Sequence, residues 1–309
     1  MELHATTPDP EFLESNNVIF NYDLKSKKWS VLTKCPAPRH DSRMIATNRA
    51  LYVIGGCNPL DHKSSEKLIP LKECYKYLFE NKEWKLMAPL NHARTCHAAV
   101  IFKDMILAIG GKGESDRLLS SIERYDALHN SWEEFPTSLP GPRMAMGATA
   151  GENNIWVAGG IIKTKRLCVV VDSVWCYDHD YKCWLKRCKL PQPLAFCTLL
   201  TDKKQIICLG GVTRAQVGED YSLESVNSVY TMEDSKEGSW TEDVPMPLGC
   251  HNVVAINIDG NIYVFGGFRT QTMEQMINTV YFDKKNNAWK PLCELPKRAA
   301  GFVVAVSGN

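Results

Sequence analysis

Short apolar runs separated by polar turns recur along the chain in a fixed order, and the segment from Ile262 to Trp289, IYVFGGFRTQTMEQMINTVYFDKKNNAW, holds most of the unit. An apolar run closes on a Gly-Gly pair and a polar loop follows. A short strand ending in an aromatic-Asp pair then leads to a tryptophan. The matching runs are LYVIGG to Gly56, ILAIGG to Gly111, IWVAGG to Gly160 and IICLGG to Gly211. The first glycines of these five doublets, Gly55, Gly110, Gly159, Gly210 and Gly266, stand 55, 49, 51 and 56 residues apart. Six tryptophans, Trp29, Trp84, Trp132, Trp184, Trp240 and Trp289, keep step at intervals of 55, 48, 52, 56 and 49. A sustained period of about 50 residues says more about fold than any single motif, because such a unit buries its apolar face only against its neighbours.

Each complete unit reads as four short strands bounded by Pro, Gly, Asn and Asp turns, which predicts an all-β propeller blade. The unit also keeps an internal register. Arg39, Arg94 and Arg143 each stand 16 residues before the first glycine of their doublet, where the next two units have Leu194 and Cys250. Tyr22, Tyr77, Tyr125, Tyr177 and Phe282 each stand seven residues before their tryptophan, whereas Tyr230 stands ten before Trp240, which predicts a longer turn through Ser235 to Gly238. Glycine suits a strand end where backbones crowd or φ turns positive, and the aromatic residues supply buried area between sheets. A residue demanded in every unit is read as maintaining the fold.

Met1 to Ser15 fit the pattern least, with no Gly-Gly pair in MELHATTPDP; the chain starts inside a worn second strand, or the natural protein was cut here. Beyond Trp289, LPKRAAGFVVAVSGN places Arg298 at the arginine position and GFVVAV as a further first strand. The expectation is a single domain, 1–309, with six blades. One blade is shared between 1–34 and 296–309, closing the ring, and the others cover about 35–90, 91–139, 140–190, 191–245 and 246–295.

Composition narrows the function. The 309 residues are 44% hydrophobic and 23% charged with a net charge of +1, which gives no global pull toward nucleic acid or an anionic membrane. No apolar stretch reaches the roughly 20 residues of a membrane helix, and the N-terminus has no signal-peptide core. The twelve cysteines form no CxxC pair or zinc-type spacing, and no Asn-x-Ser/Thr site occurs, which points to reduced thiols in the cytoplasm or nucleus. No phosphate-cradling glycine loop, HExxH or Gly-x-Ser-x-Gly is present. No cofactor is expected.

The five doublets, the Tyr-Asp pairs at Tyr22, Tyr125 and Tyr177, the phased tryptophans and the Pro-led arginines Arg39, Arg143 and Arg298 together resemble the kelch domain of the BTB-kelch proteins, over nearly the whole chain. The resemblance implies a six-bladed propeller that captures a partner protein, often as a short peptide, at the mouth of its central channel. In that family a preceding BTB domain dimerises and engages a cullin scaffold, which makes the propeller a substrate receptor of a ubiquitin ligase. These 309 residues contain no BTB segment, so that role requires a region outside them.

A ring of blades gathers loops around one axis, so binding residues should recur at equivalent positions yet differ in type. One set follows the arginine position: His40 and Asp41, Thr95 and Cys96, Met144 and Ala145, Ala195 and Phe196, His251 and Asn252, Ala299 and Ala300. A second follows each doublet: Cys57 and Asn58, Lys112, Ile161, Val212, Phe268 and Arg269. By resemblance both sets line the mouth, although small members also suit plain channel filling. The mixture predicts a partner with an apolar anchor and one or two polar or basic groups. The long Cys57 to Glu73 loop is a further candidate contact. The alternatives are a scaffold that binds actin or another cytoskeletal protein without ubiquitin transfer, and a copper oxidase. An oxidase would need a tyrosine beside His40 and His251, and none is expected at the axis.

Overall fold

The computed structural model describes residues 17–59, 69–165, 167–217, 220–235 and 237–297. Five antiparallel four-stranded sheets follow one another along the chain, each in simple meander order. They begin with Arg43–Ala46, Ala98–Phe102, Gly147–Ala150, Thr198–Asp202 and Val254–Ile258, and are called here the first to fifth blades. Ahead of them, Val18–Asp23 and Lys28–Lys34 form a two-stranded hairpin. Among the described residues no helix is long and apolar enough to cross a membrane.

The blade count corrects the six expected from the repeat, since the described residues hold five four-stranded blades and a hairpin. The hairpin carries the outer-strand signature, with Tyr22 paired to Trp29, but no Gly-Gly turn precedes it to end an inner strand. The inner strand expected within 301–306 lies outside the described residues. The hairpin nevertheless sits between the fifth and first blades. Trp29 packs edge-on against Phe265 at 6.2 Å, and Trp84 Nε1 donates to Thr33 Oγ1 at 2.9 Å.

The seven-residue spacing is a strand register. Tyr77, Tyr125, Tyr177 and Phe282 each lie directly across a tight turn from their tryptophan, with ring centroids 5.2 to 5.6 Å apart. In the fourth blade Tyr230 instead faces Glu242, which accounts for the slipped spacing. Four apolar cores fill the gaps between successive blades. The second blade's Tyr125 and Trp132 pack with Ile45, Ile54 and Leu90 of the first, and the fifth blade's Phe282 with Ile207 and Leu209 of the fourth. Indole N–H groups tie these gaps together, Trp132 Nε1 donating to Ala88 O at 3.1 Å and Trp289 Nε1 to Val244 O at 2.9 Å.

The 16-residue spacing has a similar cause. Arg94 Nη1 donates to Gly110 O at 2.8 Å and Arg143 Nη1 to Gly159 O at 3.0 Å, so the guanidinium satisfies the carbonyl at its own doublet. Arg39 instead pairs with Glu73. The second glycine joins blades: Gly56 N–H donates to Arg94 O and Gly111 N–H to Arg143 O, both at 2.8 Å. At Gly111, φ is +101° and a Cβ would meet His97 Cβ at 2.7 Å, so both conformation and space require glycine.

Candidate site at the channel mouth

The two sets of positions read from the sequence pair with each other. His40 bridges to Cys57, Thr95 to Lys112, Met144 to Ile161, Ala195 to Val212 and His251 to Phe268. The residue after each of the first members is left-handed: Asp41, Cys96, Ala145, Phe196 and Asn252 have φ between 49° and 55°. These five residues are joined backbone to backbone from blade to blade. Cys96 N–H donates to Asp41 O at 3.3 Å, Ala145 to Cys96 at 2.9 Å, Phe196 to Ala145 at 2.6 Å and Asn252 to Phe196 at 2.9 Å. This arc is built from main-chain groups, so its side chains are free to differ.

They divide into two halves. On the first two blades the groups are polar. His40 Nδ1 lies 3.1 Å from Asp41 Oδ2, and Lys112 Nζ lies 3.1 Å from Asp116 Oδ1. Contact with Asp41, and then with Cys57, pushes His40 up to about 10, so it is a cation at neutral pH. Burial works to raise Asp41, but His40 and Arg43 together with Cys96 outweigh it and hold the carboxyl below its ordinary value. Burial, with the Asp41 charge, keeps Cys96 a thiol well above its usual range. Thr95 is buried at 2% exposure and Cys57 at 0%, Cys57 Sγ donating to His40 O at 3.3 Å. Asn58 beside it is half-buried.

On the remaining blades the equivalent side chains are mostly apolar. Met144, Ile161 and Phe196 pack as half-buried side chains on buried Ala145, Ala195 and Val212. His251 lies between Phe196 and Phe268, with ring centroids at 5.7 and 5.4 Å. Burial there pulls His251 down to about 4, so it is neutral at pH 7. Its Nδ1 is hydrogen-bonded to Ser225 Oγ at 2.9 Å. Ser225, 3% exposed, is held in turn by Thr270 and Gln271. Asn252 and Arg269 are half-buried at the edge of this half.

Ser225, Thr270, Asp116 and Arg43 are site residues that the repeat did not single out. Arg43 alone had a local signal, as a charged residue opening an inner strand where the other blades start with Ala98, Gly147, Thr198 and Val254. Ala299 and Ala300 lie outside the described residues, as does most of the long loop after Cys57. All twelve cysteines are free, and no cluster of three or more His, Cys, Asp or Glu side chains that could hold a metal occurs among the described residues.

Comparison with known proteins agrees with this geometry. Residues 9–160 match the family model described as the KLHDC2/KLHL20/DRC7 Kelch-repeats domain, and residues 247–296 match the Kelch motif. The chain is a kelch-repeat propeller of the kelch-like family. It is 27% identical to alpha-scruin of Limulus polyphemus over 95% of its own length and 32% of scruin's. It is 24% identical to kelch-like protein 36 of Bos taurus over 92% of its length and 44% of that relative's. The kelch chain thus spans less than half the length of these relatives. A solved structure titled "Structure of YjhT" superposes with a TM-score of 0.75 at 16% identity, covering 89% of this chain and 91% of the other, a likeness of fold.

Proposed function

We propose that this propeller is a protein-interaction module that captures a partner segment at the channel mouth, and that it serves as a substrate receptor of a cullin-RING ubiquitin ligase through a BTB domain outside the present sequence. The reading is supported by the uneven chemistry of one main-chain arc: it carries an apolar patch around Phe196, His251 and Phe268 at one end and the charged pair His40 and Asp41 at the other. Such a surface suits a segment with one apolar anchor and a polar or basic neighbour. Binding rather than catalysis is its role, and the cytoplasm its compartment. The greater identity to alpha-scruin than to kelch-like protein 36 keeps a second reading in play, a cytoskeletal, actin-binding scaffold without ubiquitin transfer.

Affinity purification of the longest natural protein, with cullin ligases active or inhibited, separates the two. The receptor reading expects a copurifying cullin and a second protein that accumulates on inhibition. Filament proteins indifferent to inhibition, with no cullin, would replace it by the scaffold. The combined Phe196→Ala and Asp41→Ala protein should lose the captured partner while still unfolding in one cooperative transition; unaltered capture would remove the mouth from the account.

A further inference from the structure

A concave site lies where the first and second blades meet. It is a groove of about 340 Å³ between Lys72 and the Asn91–Ala93 connection on one side and the Gly113–Leu119 loop on the other. Its volume falls in the lower range of ligand sites. Both walls are held in place. Asn91 and His92 donate their backbone N–H groups to the Glu123 carboxylate at 2.6 and 3.1 Å, and Glu123 is itself fully buried against Arg94 at 2.5 Å. The opposite loop closes on itself through Gly113 N–H to Arg117 O at 2.8 Å and Arg117 N–H to Glu114 O at 3.2 Å. Two consecutive left-handed residues, Ser115 and Asp116, fix its turn.

Charge decides what such a groove accepts. Lys72 on one wall and Arg117 on the other are exposed and form no ion pair among the described residues, whereas Glu114 is the sole carboxylate in the lining. Ala93 and Leu119 supply an aliphatic floor, and no Phe, Tyr or Trp is present on which a nucleobase would stack. We propose that this groove is a preformed subsite for an acidic peptide segment, one carboxylate reaching Lys72 and another Arg117 across the aliphatic floor. The inference stands independently of what occupies the channel mouth.

Titrating the 15N-labelled chain with an acetylated octaglutamate peptide at low salt tests it. Amide shifts are expected at residues 72, 91–93 and 113–119. The Lys72→Glu/Arg117→Glu protein should bind at least about tenfold more weakly, and Glu114→Gln about two- to threefold more tightly. A control with the same change of net charge, Lys25→Glu/Lys27→Glu on the hairpin turn, should stay within about twofold of the parent. Equal weakening by both reversals, or shifts spread over surface lysines or confined to the mouth, would overturn the proposal. Intact thermal transitions, with the Glu114→Gln gain, separate loss of the site from loss of the fold.

Discussion

His40 and His251 occupy the same station in the first and fifth blades. Each exchanges backbone hydrogen bonds with the first residue after a Gly-Gly doublet, and each precedes a left-handed member of the ring. Yet His40 is pushed up to about 10 and His251 pulled down to about 4. The backbone does not explain this, because it repeats. The neighbours do: Asp41 and Cys57 lie against one imidazole, and Phe196, Phe268 and Ser225 against the other. The fold sets the position, and two or three side chains per blade set the charge.

The largest effect should come from the frame that both halves share. Trp132→Ala opens the core between the first and second blades, where the ring is 5% exposed, and should cost about 3 to 5 kcal/mol in urea unfolding. A loss under about 1 kcal/mol would mean that the blades are not held by these rings.

Next come changes that exchange the chemistry of the two stations. Asp41→Asn removes the carboxylate beside His40 and should bring that histidine down to about 7 or lower. Asn252→Asp places a carboxylate next to His251 and should raise it above about 6, and Asp tolerates the left-handed backbone there, φ 51°. If neither histidine responds, the ring neighbours are not the cause of the difference.

The same comparison should also appear in stability against pH. A histidine raised on folding stabilises fully below its unfolded value of about 6.5, so the His40 contribution is lost as pH climbs toward about 10. A histidine lowered on folding acts in the opposite sense, and stability falls as pH drops from about 6.5 toward about 4, where the unfolded chain takes up the proton first. From these two groups stability should peak near pH 6.5, with Asp41→Asn flattening the alkaline side alone.

Much of the frame was legible in the chain because its causes are local. The Tyr-to-Trp spacing is the register of one hairpin, and the Arg-to-Gly spacing is one side chain reaching its own doublet. The positions that bridge beside each doublet were legible as equivalent places in the repeat. Their chemistry was not. Nothing near His40 or His251 in sequence tells that Cys57 lies beside one and Phe268 beside the other, and Glu123 clamps Asn91 and His92 from about 30 residues away. The blade count went wrong at the chain ends, where the period has no doublet to anchor it.

The division of the mouth into a charged and an apolar half is tested most directly by an NMR titration of the histidine rings in the intact protein. The account predicts His40 still protonated at pH 8 and His251 still neutral at pH 5.5. Both rings titrating together near pH 6.5 would contradict it.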